Sequence, residues 1–199
     1  MTDDPSHRER AKARRTKAIE LAAMQLFATQ GYNQTTVADI ALAAEVAPRT
    51  VSLRFPTKLD IALASTNAAM LRLADVLSSS HRTRGVVDTV VDWVQNEIAL
   101  TDPGERELRA SMFRANPALR AMTSIQGEAT VKVGIQALAM ELGVPPETPV
   151  VHTIYGAIAG AIQETELLPD VRGESGQTFE ALRTFLHAGI AALQAQPRS

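Results

Sequence analysis

The chain lacks cysteine altogether and is poor in aromatics, with one Trp, two Tyr and five Phe among 199 residues. Without cysteine there is no disulfide framework, thiolate-bound zinc, iron–sulfur cluster or thiol nucleophile. Long apolar runs are missing too. The longest candidate, Val150 to Ile162, spans about 13 residues and contains His152 and Thr153, where a spanning helix needs about 20. No apolar segment of the secretory kind follows the first charges. A soluble, cytoplasmic protein without a membrane partner is expected. Catalytic patterns are absent as well. None of His81, His152 and His187 follows an acid by three residues, and no His-x-x-x-His pair exists, so the usual helical carboxylate-metal and zinc spacings are missing. There is no Gly-x-Ser-x-Gly, phosphate-binding loop or Gly-x-Gly-x-x-Gly. No catalysis, metal or cofactor is expected.

What is present is a 45% hydrophobic composition, enough for a core, and an uneven charge. The net charge of -2 divides at Lys58. Residues 1–58 carry nine Lys or Arg against six Asp or Glu, and residues 59–199 carry eleven against sixteen. A basic head on an acidic body points to an anionic partner for the head alone.

The spacing predicts helices from end to end, about nine of them, and an all-α fold. Residues 1–7 are polar and are expected to be disordered. A helix from about Arg8 to Thr29 carries Ile19, Ala22, Ala23, Leu26 and Phe27 at helical spacing and is closed by Gly31. Thr36 with Asp39, and Thr57 with Asp60, read as capping boxes. A short helix opens at Pro48. Longer helices are expected over about 57–79, 86–100, from Pro103, from Pro117 to Leu142, from Pro149 to about Glu166, and over about 177–195. Pro169 and Gly173–Gly176 read as a loop.

Residues 35–58 carry the chemistry. Two short helices joined by a tight turn precede a longer one, with Ile40, Ala41, Val46, Val51 and Phe55 as a small shared core. This is helix-turn-helix spacing, in which one helix braces another that can enter a major groove about 12 Å wide. Pro48, Arg49, Thr50, Ser52 and Arg54 supply groups for phosphates and base edges. On spacing alone, an ordinary three-helix bundle with two surface arginines fits equally.

The segments Ile19–Ala23, Leu26-Phe27, Gly31-Tyr32, Thr35–Ala41, Val46, Arg49-Thr50 and Phe55–Lys58 resemble the N-terminal domain of the tetracycline-repressor (TetR) family over roughly residues 12–63. The resemblance implies a DNA-binding domain over 1–58 and a helical ligand-binding and dimerisation domain over 59–199. It implies that Thr36 caps the first helix of the motif and meets a phosphate. Arg49, Thr50 and Ser52, on a recognition helix from Pro48 to Phe55, would then face DNA. Lys58, at the start of the fourth helix, would meet phosphate. Arg14 and Arg15, within the basic run Arg8, Arg10, Lys12, Arg14, Arg15 and Lys17, would track the backbone or enter the minor groove; a solvated helix face accounts for that run equally well. The chain departs from the family pattern where many relatives have Gly (Glu45), Ser (Ala47), an aromatic (Ser52) and Tyr or His (Arg54). Glu45 at positive φ would cost about 1 kcal/mol.

For the body, the resemblance implies an inducer pocket and a four-helix dimer interface. Bulky pocket candidates are Met70, Trp93, Met112, Phe113, Met122, Ile125, Met140 and Tyr155, each of which ordinary core also explains. Trp93 and Tyr155 add a polar handle; Asn96, Gln126 and Arg109 are polar candidates. Gly156 and Gly160, with Phe185, Ala188, Ala191 and Ala192, mark the expected interface. The expectation is a homodimeric transcription regulator, a repressor released from a palindromic double-stranded operator by an unknown small-molecule effector. The alternative is a helical ligand-binding or adaptor protein that has lost sequence-specific DNA binding.

Overall fold

The computed structural model describes residues 5–79, 83–126, 128–165 and 175–194. They form ten α-helices: α1 (Pro5–Gln30), α2 (Val37–Ala43), α3 (Pro48–Arg54), α4 (Lys58–Ser78), α5 (Val86–Leu100), α6 (Pro103–Ala115), α7 (Pro117–Gln126), α8 (Glu128–Leu142), α9 (Pro149–Thr165) and α10 (Ser175–Gln194). There is no strand among the described residues.

Two expectations are corrected, those for residues 5–7 and for Ser175 and Gly176. Residues 5–7 are already helical, within α1. The helix expected from Pro117 to Leu142 is helical over Pro117–Gln126 (α7) and Glu128–Leu142 (α8), and position 127 lies outside the described residues. α10 begins at Ser175, so Ser175 and Gly176 belong to a helix rather than to the expected loop. The expectations for residues 1–4, His81, Pro169, Gly173, the Glu166 helix end and Ala195 lie outside the described residues.

Packing defines two compact units that do not follow chain order. The first holds residues up to Asn67 together with Pro103–Thr123; the second holds Ala68–Asp102 and the residues from Ser124 on. In the first unit α1 packs along α6 and against α2, and α2 against α3. Ile19, Ala23, Met24 and Phe27 of α1, with Ala110, Met112 and Phe113 of α6, are buried there. That periodicity, one apolar residue every three or four, is what makes α1 a core helix despite its basic N-terminal half.

In the second unit α5, α8, α9 and α10 pack together. Val87, Val90, Val91 and Val94 of α5 share a core with Leu138, Val151, Ile154, Ile158, Phe179 and Leu186. The void among α5, α9 and α10 measures about 10 Å³, no larger than the space one water centre needs. Local solutions complete the packing. Gly85 offers no side chain to cap α5, and the Glu141 carboxylate of α8 accepts the Val86 N–H at 2.6 Å instead. A Cβ on Gly134 would lie 2.6 Å from the Tyr155 ring. Only glycine lets α8 approach the tyrosine so closely.

Candidate nucleic-acid interface

Both capping boxes form. The Thr36 hydroxyl accepts the Asp39 N–H at 3.1 Å, and the Asp39 carboxylate accepts the Thr36 N–H at 2.8 Å and its hydroxyl at 2.7 Å. These bonds hold the Asp39 carboxyl below the ordinary carboxylate range, with the Thr36 backbone bond the largest cause. Thr57 and Asp60 repeat the arrangement at the start of α4. Ile40, Ala41, Val51 and Phe55 are buried between the short helices, and Val46 is half-buried.

The turn between α2 and α3 closes in a Schellman geometry. The Val46 N–H donates to Ala41 at 3.0 Å, and the Glu45 N–H to Leu42 at 3.1 Å. Glu45 takes φ +54°, the left-handed conformation that the departure from glycine made costly. The end of α8 solves the same problem with glycine: Val144 donates to Ala139 at 3.1 Å around Gly143 at φ +65°.

On α3 the exposed residues are Pro48, Arg49, Ser52 and Leu53, with Val51 opposite them fully buried. Thr50 and Arg54 occupy a half-buried flank. Thr36, Arg14 and Arg15 are exposed.

Lys58, Arg54 and Lys17, all within the basic head, are engaged within the protein. Lys58 does not extend to solvent as a phosphate-facing residue. Its ammonium donates to the carbonyls of Tyr32 at 2.7 Å and Thr35 at 2.8 Å and lies 4.3 Å from the Tyr32 ring centroid. The two carbonyls take charge-assisted hydrogen bonds from the ammonium, and the ring adds cation–π attraction. Arg54 donates from Nη1 to the Thr16 hydroxyl of α1 at 2.7 Å, while its buried Nε makes no hydrogen bond. Lys17, a member of the basic run, pairs with Glu105 of α6.

Sequence reasoning reads Asn116 as an N-cap ahead of Pro117 and misses its long-range role. Its amide donates to the carbonyls of Phe27 and Met112, both at 2.8 Å, and its oxygen accepts the Tyr32 N–H at 2.7 Å. No local spacing signals partners more than 80 residues away.

The pocket candidates separate between the two units. Met112 and Phe113 are buried core in the first, with Met122 half-buried. Arg109 there donates to the Ser65 hydroxyl at 2.7 Å. In the second unit Trp93 and Asn96 line an open cleft of about 440 Å³ together with Asp75, Val76, Thr89 and Asp92. Tyr155 packs on Gly134, and burial pushes its hydroxyl up. Met70 packs against the second unit's core. Met140 is 82% exposed and is not core. The side chains of Ile125 and Gln126 lie outside the described residues.

The expected interface residues lie on outer faces. Gly156 and Gly160 of α9 look into open space, and Phe185 of α10 is 70% exposed beside exposed Ala188, Ala191 and Ala192. Among the described residues no cluster could hold a metal ion, and no helix is long and apolar enough to cross a membrane.

These features define an all-helical protein with an N-terminal helix-turn-helix. Residues 19–64 match the family of bacterial regulatory proteins described as the tetR family. The chain therefore carries the tetR-family helix-turn-helix domain and has the fold of a tetR-family transcription regulator. Solved structures share that fold. GusR of Salmonella enterica is 18% identical over 89% of this chain and 95% of its own, with a TM-score of 0.59. NalD, the secondary repressor of the MexAB-OprM multidrug efflux pump in Pseudomonas aeruginosa, is 21% identical over 91% and 97%, at 0.60. FadR of Bacillus subtilis, solved with stearoyl-CoA, is 20% identical over 92% and 99%, at 0.53. No curated protein matches the chain.

Proposed function

We propose that the protein is a homodimeric repressor that binds a palindromic operator through α3 and releases it when a small molecule binds the body. The observation that carries this reading is the solvent face of α3. Arg49 and Ser52 stand exposed on the second helix of a capped, well-packed helix-turn-helix, in a segment of net positive charge. Arg49 has the bidentate fork that suits a guanine edge. Exposed Arg14 and Arg15 on α1 suit backbone phosphates, and Thr36 stands exposed at the α2 N-terminus. Lys58 is withdrawn from that set, since its ammonium serves the 32–35 turn.

The functional division is a reading head over 1–58 and a body over 59–199, although α6 packs with the head. One helix-turn-helix reads a half-site, so a second copy supplies the other. The face carrying Gly156, Gly160, Phe185, Ala188 and Ala192 supports that pairing, because small residues allow close helix approach and an exposed phenylalanine gains from burial. NalD is the secondary repressor of a multidrug efflux pump and FadR was solved with stearoyl-CoA; by analogy, an organic effector acts here, and the cleft beside Trp93 and Asn96 is its candidate site. α4 contributes Lys58–Asn67 to one compact unit and residues from Ala68 on to the other, which makes it the element through which an effector would change the spacing of two heads. The adaptor alternative loses one support, since the turn forms with Glu45 in place.

The test is binding to the promoter region beside the protein's own gene, with the affinity falling steeply as salt rises and light scattering giving a dimer. A folded monomer that ignores this DNA at low salt refutes the proposal.

A further inference from the structure

The exposed face of α3 contains a side chain that neither charge nor hydrogen bonding explains. Leu53 is 77% exposed, and it lies one turn beyond Arg49 on the stripe opposite Val51, which is fully buried. An isolated exposed leucine needs no explanation of its own. Its place does, because Arg49 and Leu53 are the two residues aimed most directly away from the supporting core. Thr50 and Arg54 are turned onto the half-buried flank, where Arg54 reaches Thr16 of α1. Ser52 borders the stripe with a short hydroxyl that lies 3.4 Å from the Pro48 carbonyl of its own helix. Whatever α3 faces therefore meets one guanidinium and one branched apolar group.

In a major groove the only apolar feature on a base edge is the C5-methyl group of thymine. We propose that Leu53 is a specificity-determining residue that packs on a thymine methyl in each half-site, so that the operator pairs a guanine read by Arg49 with a nearby thymine read by Leu53. This assignment rests on the DNA-binding reading and deepens it by naming a second base and the group on it. Leu42, 80% exposed on α2, has the same side chain on the bracing helix and serves as the internal comparison.

The test uses the full-length protein and the operator obtained by selection from random duplexes. Each thymine is replaced in turn by deoxyuridine, which lacks only the methyl group, symmetrically in both half-sites. Burial of one methyl corresponds to about fourfold in affinity, hence about 15-fold for a symmetric pair of replacements. One thymine position should show that loss for the wild type and for Leu42→Ala, and Leu53→Ala should bind the two duplexes equally. Circular dichroism establishes that each variant is folded. A wild type that selects an operator yet is indifferent to every replacement overturns the Leu53 assignment. So does a Leu53→Ala variant that retains the full methyl sensitivity. A wild type that selects no motif overturns the DNA-binding reading itself, which is a separate result.

Discussion

Asn116 accepts the Tyr32 N–H at 2.7 Å and donates to the Phe27 and Met112 carbonyls at 2.8 Å. One amide thus ties the α6–α7 junction to the end of α1. Within the first compact unit it connects the segment leading into the helix-turn-helix with residues that follow α5 in the chain. Three hydrogen bonds use both ends of the amide, whose two donors and acceptor only a carboxamide side chain supplies.

Asn116→Asp keeps the shape but loses the donors, leaving a carboxylate beside two carbonyls. Stability at neutral pH should fall by about 2–3 kcal/mol, measured by urea unfolding. Protonation restores one donor, so the deficit should shrink as the pH is lowered. An unchanged midpoint at pH 7 would show that the amide is dispensable.

Lys58 offers a second test, since its ammonium is bound by Tyr32 and Thr35. Lys58→Met should cost about 1–3 kcal/mol of stability. The slope of log affinity against log salt should stay unchanged, whereas loss of one phosphate contact in each half-site would reduce it by about 1.8. Titrations at several salt concentrations, below the variant's melting range, distinguish the two roles.

Glu45 at φ +54° stores strain that Gly143, at φ +65°, avoids in the same motif. Glu45→Gly should stabilise the protein by roughly 0.5–1 kcal/mol, the relief being offset by the greater freedom of unfolded glycine. Gly143→Ala, where an added Cβ meets nothing within 4 Å, should destabilise by about 1 kcal/mol through backbone strain alone. Denaturant midpoints moving in opposite directions would establish the pair.

Arg183 of α10 donates to Asp88 at 2.5 Å and to Asp92 at 2.8 Å on α5. Its hydrogen bond holds the Asp88 carboxyl below the ordinary value of 3.8, with His187 adding a smaller contribution in the same direction. The stabilisation from this group is complete above that ordinary value and is lost as pH falls through the lowered one. Arg183→Met should therefore cost roughly 1–2 kcal/mol at neutral pH, allowing for partial exposure. The gap from wild type should narrow below about pH 4. Thermal unfolding across that range provides the measurement.

Much of the fold was legible because its signals are local. Thr36 with Asp39 and Thr57 with Asp60 lie three residues apart, and their bonds form within one turn. The strain at Glu45 was legible from the glycine expected in its place. Lys58, Arg54 and Asn116 were not, because their long-range partners (backbone carbonyls, a hydroxyl and a backbone N–H) lie 23 to 89 residues away. Such groups exist at every position and leave no pattern in a sequence. Leu53 carries no such signal, because an apolar side chain on a short helix reads as ordinary core in a sequence. Bulk alone does not distinguish Met112 in the core from Trp93 at a cleft.

The central claim, that α3 reads DNA, is tested most directly by selection from random duplexes with the wild type and Arg49→Ala in parallel. The expected result is a palindromic motif for the wild type, with a guanine in each half-site whose preference relaxes in the variant by a factor corresponding to about 1–3 kcal/mol. A folded wild-type protein that returns no motif, or a variant that returns the same motif at the same strength, would contradict it.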